Sequence, residues 1–243
     1  MTTESVANLH EAIKTYGNHK VLNEISLDIY KGELLGLIGP SGCGKTTTIK
    51  CLLGMEKLTS GSTEIFNKTM PNRKILNKIG YMGQTDALYE SLTAYENLEF
   101  FGHLAGLKGQ LLDKNIHESM KLVDLEDALS RKVANFSGGM KRRLSLAITL
   151  LSQPNLIILD EPTVGIDPKL RNQIWSQLKN MTSEGKSVIV TTHVMDEAER
   201  CDKVGLIVNG ELFALDTPDQ LKKQFNVKTI EEVFIKAEEA NQS

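Results

Sequence analysis

One short run constrains this chain more than any other. Gly39, Pro40, Ser41, Gly42, Cys43, Gly44, Lys45, Thr46 and Thr47 fit the pattern G-x-x-x-x-G-K-[ST]. The apolar run at residues 33–38 predicts a buried strand before it. Residues 46–54, with Leu52 and Leu53 on one face, predict a helix after it. Strand, glycine-rich loop and helix in that order separate a phosphate-binding loop from an ordinary glycine turn. Glycines let backbone N–H groups curl around phosphate oxygens, where a side chain would block the approach. The helix start adds unpaired donors and the positive end of a dipole. In that setting Lys45 reaches the β- and γ-phosphates, and the Thr46 hydroxyl ligates Mg²⁺.

The 243 residues suffice for one large α/β domain, or for one core with an inserted subdomain. Lys and Arg number 28 against 31 Asp and Glu, a net charge of −3. A global basic footprint for nucleic acid is therefore missing, with a local patch left open. Cys43, Cys51 and Cys201 are too few for a disulfide framework, and one sits inside the phosphate loop. A reduced, cytosolic setting follows. No apolar run approaches the roughly 20 residues that span a bilayer. The polar residues 1–8 lack a signal-peptide core. The expectation is a chain soluble by itself, with any membrane role supplied by a partner.

Residues 6–16 alternate loosely and contain a first strand, closed by a turn at Tyr16, Gly17 and Asn18. Tyr16 offers a face on which an adenine ring can stack; an exposed turn tyrosine has the same signature. Residues 21–30 place Val21, Ile25, Leu27 and Ile29 at mostly period-two spacing, a strand. Ser60, Gly61 and Ser62 read as a turn before a short strand at 63–66, and 78–82 reads as another, ending at Gly83 and Gln84. Strand signals then stop. Thr93 and Glu96 form a capping box at a first helix, 111–123 is an amphipathic second, and Ser137 caps a third that runs to residue 151. Residues 84–152 are thus an all-helical insertion into an α/β core made of 1–83 and 153–215, with 216–243 a short C-terminal helical extension. The core resumes with a buried strand at 155–159 and a helix at 168–181, capped by Asp167 with Pro168 at its first position. A strand at 187–191 and a short helix at 195–201 follow. Asn209-Gly210 then marks a two-residue hairpin between 204–208 and 211–215. There are no internal repeats and no low-complexity linker.

Two further stretches carry chemistry. An apolar strand ending in Asp160 sets a carboxylate at the strand's C-terminal edge, where ligands collect in open α/β sheets. Asp160 there suits Mg²⁺ through a water, and Glu161 suits polarisation of a water for in-line attack on a γ-phosphate. Asp160-Glu161-Pro162 also reads as a plain strand end. Ser137, Gly138 and Gly139 at a helix start make a second anion site, or a plain serine cap on a flexible turn. Order favours the functional readings: a helical insertion that begins with Gln84 carries the serine-glycine turn just upstream of Asp160 and Glu161.

These residues, with Gly165, Ile166, Asp167 and His193, stand in the order found in ATP-binding-cassette (ABC) ATPases, and from residue 6 to about 215 the chain resembles that family. The resemblance implies an α/β fold: a P-loop NTPase core with a mixed sheet, an antiparallel β subdomain and the inserted all-helical subdomain. It implies ATP and Mg²⁺ as cofactors. Tyr16 then resembles the adenine-stacking aromatic, and residues 39–47 the phosphate loop. Gln84 resembles the lid glutamine that touches Mg²⁺ and the attacking water. Asp160 and Thr46 resemble the other Mg²⁺ ligands, and Glu161 the catalytic base. Ser137, Gly138 and Gly139 resemble the signature that binds the γ-phosphate of a nucleotide held by a second subunit. Asp167 resembles the residue that joins the two sites across the dimer, and His193 the switch histidine near the γ-phosphate. A lone histidine after a strand is otherwise more often structural.

One departure stands out. The signature usually reads Leu-Ser-Gly-Gly-Gln, and here Phe136 and Met140 flank Ser137, Gly138 and Gly139. The catalytic positions are all present, so a hydrolysing subunit is expected. Residues 140–145, 92–98 and 230–235 resemble the drug-, lipid- and polysaccharide-exporting branch, and there is no room for the long regulatory C-terminal domain of some sugar importers. The implied partners are a second ATP-binding subunit, as a homodimer, and a separate multi-span transmembrane permease, which places the chain at the cytoplasmic face of the cell membrane. Nucleic acid is not an expected partner. Ala87, Leu88, Tyr89 and Leu92 after Gln84 are candidates for the permease contact, or for packing inside the helical subdomain. An importer motor is the nearer alternative, and a soluble ABC ATPase on ribosomes or DNA the more distant. The latter types carry two cassettes in one chain or a long coiled coil, and neither is present. A plain nucleotide kinase leaves the second glycine site unexplained.

Overall fold

The computed structural model describes residues 4–242, so the first part of the polar stretch at 1–8 lies outside the described residues. The chain divides into two compact units, Met1–Arg73 with Ser187–Ser243, and Lys74–Lys186. In chain order the elements begin with β1 (Ser5–Tyr16), β2 (His19–Tyr30), β3 (Leu34–Ile38), α1 (Lys45–Leu52), β4 (Ser60–Ile65) and β5 (Lys68–Thr69). Then come β6 (Ile79–Met82), α2 (Ala94–Leu104), α3 (Gly109–Leu122), α4 (Gly138–Leu150), β7 (Leu156–Asp160) and α5 (Pro168–Ser183). Last are β8 (Ser187–Thr192), α6 (Met195–Ala198), β9 (Lys203–Val208), β10 (Glu211–Asp216), α7 (Pro218–Gln224) and α8 (Ile230–Gln242). The fold is α/β, with an antiparallel sheet, a mixed sheet and a helical stretch between β6 and β7, as the sequence leads one to expect.

The first unit holds an antiparallel sheet in the order β2-β1-β4-β5. Beside it, β3 pairs in parallel with both β8 and β9, and β10 closes on β9 antiparallel. Every residue of β3 and β8 is buried, which is why both read as unbroken apolar or small runs rather than alternations. Asn209 and Gly210 both have positive φ (48° and 81°), as the tight turn of a β9–β10 hairpin requires.

Ser60, Gly61 and Ser62 are not a turn: they are the first half of β4. The pairing of β1 with β4 shifts register between His10 and Ile13, and Gly61 sits there at φ 87°. A Cβ on Gly61 would collide with the carbonyl oxygens of His10 and Glu11. The glycine signal was a real mark of positive φ, and it marked a bulge inside a strand. The short helix read at 195–201 ends earlier, at Ala198.

The second unit pairs β6 with β7 in parallel, Ile79 opposite Leu156. Helix α2 starts where the sequence says it should. Thr93 Oγ1 accepts from Glu96 N (3.1 Å), and Glu96 Oε2 accepts from Thr93 N (2.7 Å), so two orphan donors are satisfied reciprocally. Helix α3 buries Leu112, Ile116 and Met120 at four-residue spacing. Asn115 on the same helix donates from Nδ2 to Leu151 O (2.9 Å), just past the end of α4. Truncating the fully buried Ile116 to Ala would cost about 3 kcal/mol. Asp167 caps α5, its Oδ1 accepting from Leu170 N (3.0 Å), and Pro168 is the first helical residue. Among the described residues no helix is long and apolar enough to cross a membrane.

The capping box is testable. Thr93→Ala is expected to lower unfolding stability by about 1 kcal/mol in a urea titration, and Thr93→Ser to be close to neutral. The Thr93 backbone N–H, then its hydroxyl, hold Glu96 below the usual glutamate range. Its contribution is therefore present above the ordinary glutamate pKa and is lost as pH falls through the lowered value. The penalty of Thr93→Ala should shrink on acidification through that window.

Candidate functional site

In the first unit the phosphate loop joins β3 to α1. Gly44 caps α1 at φ 108°, and a Cβ there would lie 2.9 Å from Leu22 Cδ2 and 3.1 Å from Val21 O, so only glycine fits. Lys45 is buried. Its Nζ folds back over the loop, donating to Gly39 O (2.7 Å) and Pro40 O (2.9 Å) and lying 3.8 Å from Cys43 Sγ. The loop is also braced from outside. Gly210 N in the β9–β10 turn donates to Cys43 O (3.1 Å), and Asn23 N of β2 donates to Gly210 O (2.8 Å). Ser41 and Gly42 are exposed, while Thr46 and Thr47 are half-buried. Positive-φ glycines, a helix start and an ammonium whose partners are neutral carbonyls suit an anion of phosphate type.

Tyr16 ends β1 and is 46% exposed. Lys14 Nζ lies 4.5 Å from the ring centroid and is itself fixed by Glu56 Oε2 (3.0 Å) and Lys57 O (2.9 Å). One aromatic face thus carries a cation. Partial burial, then the Glu56 carboxylate, push the Tyr16 phenol up. His193 is exposed in the loop between β8 and α6. The residues around it are held by the buried Glu197: Thr192 Oγ1 donates to Glu197 Oε2 (2.6 Å) and accepts from Val194 N (3.0 Å).

In the second unit Asp160 is the fully buried last residue of β7. Glu161 follows at φ 54°, a left-handed conformation that costs a non-glycine residue about 1–2 kcal/mol. Such strain persists only where the surroundings over-determine it. Part of those surroundings is Arg142, a buried residue of α4. Its Nη2 donates to Asp160 O and to Glu161 O (2.8 Å), and its Nη1 donates to Gly83 O (2.7 Å) and Gln84 O (3.2 Å). One guanidinium therefore brings together the backbones of Gln84, Asp160 and Glu161. Asp86 joins them, its Oδ1 accepting from Ser145 Oγ at 2.9 Å and lying 3.4 Å from Arg142 Nη1. Burial first, then the Asp160 carboxylate, push the nearby Tyr81 phenol up against the opposing pull of Arg142.

Ser137 caps α4 with Oγ accepting from Met140 N (3.3 Å), and Ser137 and Gly138 are exposed. A Cβ on Gly139 would lie 3.0 Å from Gly165 O, so this turn sits against the loop that leads to the exposed Asp167. Sequence reasoning missed the roles of Arg142, Lys14 and Gly210. The one available signal was an arginine on the buried face of α4, in line with Leu146 and Thr149.

Among the described residues no three His, Cys, Asp or Glu side chains form a metal cluster. Mg²⁺ does not require one, since it keeps waters and takes phosphate oxygens alongside one or two protein ligands. The hydroxyl of Thr46, the carboxylate of Asp160 and the amide oxygen of Gln84 are hard oxygen donors, so the residue types fit that ion.

Phosphate loop, strand-end carboxylates and helical insertion define a P-loop ATPase of the cassette type. Residues 22–164 match the family model described as ABC transporter. The chain is 37% identical over 223 residues to the "Probable multidrug ABC transporter ATP-binding protein YbhF" of Escherichia coli (strain K12), covering 91% of this chain and 39% of that protein. It is 40% identical over 220 residues to the "Linearmycin resistance ATP-binding protein LnrL" of Bacillus subtilis (strain 168), covering 89% and 71%. Among solved structures it resembles the ATP-binding cassette MJ0796, in a dimeric post-hydrolysis state bound to ADP and Pi. The TM-score is 0.79 at 30% identity, over 87% of this chain and 98% of that one. The chain belongs to the ABC transporter family, as an ATP-binding cassette. It spans 39% of the length of the YbhF protein.

The three cysteines are free and buried. Burial pushes the Cys51 thiol up to about 11, and pushes Cys43 up against the opposing charge of Lys45. At neutral pH all are expected to resist a soluble disulfide reagent in the folded chain and to react on denaturation. A fast-reacting thiol in the native protein would contradict this burial.

Proposed function

We propose that this chain is the ATP-hydrolysing motor subunit of an ABC exporter. It dimerises around two ATP and drives a separate multi-span transmembrane permease from the cytoplasmic face of the cell membrane. The observation that carries the reading is the phosphate loop with its buried Lys45, in a chain of this family that keeps Asp160 and Glu161 at the end of β7.

The residue roles follow from their chemistry. Tyr16 stacks on the adenine. The N–H groups of residues 39–47 and Lys45 hold the β- and γ-phosphates. Thr46, Asp160 and Gln84 hold Mg²⁺, which when bound neutralises charge on the phosphate oxygens. Glu161 orients the attacking water and takes its proton, and His193 donates toward the γ-phosphate. Ser137 Oγ already accepts the Met140 N–H, so its own O–H is left to donate to a phosphate oxygen of the second subunit's nucleotide. Gly138 and Gly139 add backbone donors without side-chain bulk, and Asp167 links the two sites. Closing two copies on two nucleotides sets these donors before reaction, so catalysis is mostly positioning and electrostatics.

An exposed aromatic patch supports a hydrophobic partner. Tyr89 packs edge-on to Phe100 with centroids 5.0 Å apart, Phe100 packs edge-on to Phe101 at 5.3 Å, and Leu104 is 70% exposed. A groove of about 230 Å³ beside it is lined by Ala87, Leu88 and Phe101, among others. Contiguous exposed apolar surface of this kind marks a protein contact. The multidrug-transporter and linearmycin-resistance names of the two relatives support the direction of transport.

Tagged chain extracted gently from its native membranes is expected to co-purify with a multi-span hydrophobic protein, and Tyr89→Glu to weaken that recovery. Recovery with ribosomes or nucleic acid instead would overturn the transport reading and leave the ATPase.

A further inference from the structure

We infer that Arg142 is a positioning residue for ATP hydrolysis: a buried guanidinium that locks the Gln84 segment to the Asp160–Glu161 strand end and holds Glu161 in its left-handed conformation. The inference rests on the proposed roles of Gln84 and Glu161 and adds a residue to them. Arg142 itself touches neither nucleotide nor water in this account.

The geometry is specific. The guanidinium carries five N–H donors in a fixed plane. One terminal nitrogen serves Gly83 O and Gln84 O, directly after β6, and the other serves Asp160 O and Glu161 O, at the end of β7. Four carbonyls from two separate strand ends thus share one rigid fork. The contact with Asp86 is the longest of the set, at 3.4 Å, so the group works mainly on backbone rather than as an ion pair. Ser145, three residues on and therefore on the same face of α4, fixes Asp86 with a second bond. Without these donors the backbone of Glu161 loses one brace of its positive φ, and the place where its carboxylate must hold the water is less well fixed.

A second consequence follows from the helix. Ser137 caps α4 and Arg142 lies five residues on, about 7.5 Å at 1.5 Å per residue. A displacement of the serine turn is carried by a rigid helix to the fork that holds Gln84 and Glu161. Arg142 thereby links what the signature end senses to the groups that hydrolyse.

The test compares unchanged chain with Arg142→Lys and Ser145→Ala, normalised to sites that bind ATP. Lysine keeps the charge and stem but offers a compact ammonium that cannot span both strand ends. Arg142→Lys is expected to lower kcat between about ten- and a hundred-fold, with KM for ATP within about two-fold, because a misplaced base loses interactions made only in the transition state. Ser145→Ala, which leaves the fork intact, should lower kcat by a smaller factor in the same pattern. A merely structural role would reduce the fraction of competent sites and the melting temperature while leaving kcat per site unchanged; that result overturns the inference. Hydrolysis undetectable in the unchanged chain would instead remove the ATPase reading on which it rests, and the inference with it.

Discussion

Where a parallel strand leaves its sheet, the next carbonyl groups lose their ladder partners, and buried carbonyls must find donors elsewhere. This chain supplies them from buried cations. After β3, Lys45 serves Gly39 O and Pro40 O. After β6 and β7, Arg142 serves Gly83, Gln84, Asp160 and Glu161. The same strand ends are where ligands collect in such sheets. Because Lys45 rests on neutral carbonyls, its charge is not cancelled locally and stays available to a phosphate. One side chain thus satisfies the backbone and, in the proposed function, is the group offered to the phosphates.

Local signatures were legible in the sequence because their physics is local. The Thr93–Glu96 box, the Asp167–Pro168 start of α5 and the Asn209–Gly210 hairpin each depend on a few adjacent residues, and each is found as read. The phosphate loop was legible for the same reason. Gly61 was misread because a glycine at positive φ gives one signal for a turn and for a bulge, and only the neighbouring strand distinguishes them. The two-residue β5 carries no periodicity to read. Arg142 lay in plain view beside the serine-glycine turn, yet its partners are carbonyls 18 to 59 residues away, and backbone carbonyls leave no trace in a sequence. The bracing of the phosphate loop by Gly210 escaped notice in the same way.

The departure at Met140 has a simple physical reading. What residue 140 gives to the Ser137 cap is its backbone N–H, which any residue but proline supplies. Replacing the usual glutamine by methionine therefore leaves the cap, and the two glycines beside it, intact. The family match spans residues 22–164, which includes the phosphate loop, Gln84, the serine-glycine turn and both strand-end carboxylates.

The central claim is that Glu161 cleaves an ATP which two copies of the chain enclose together. Glu161→Gln preserves shape and removes the proposed base, so light scattering of that variant with and without ATP and Mg²⁺, alongside phosphate release, tests both parts at once. The account predicts hydrolysis lower by about a hundred-fold or more, ATP still bound, and a doubled mass only when ATP is present. Full turnover in the variant, or a monomeric mass at saturating ATP, would contradict it.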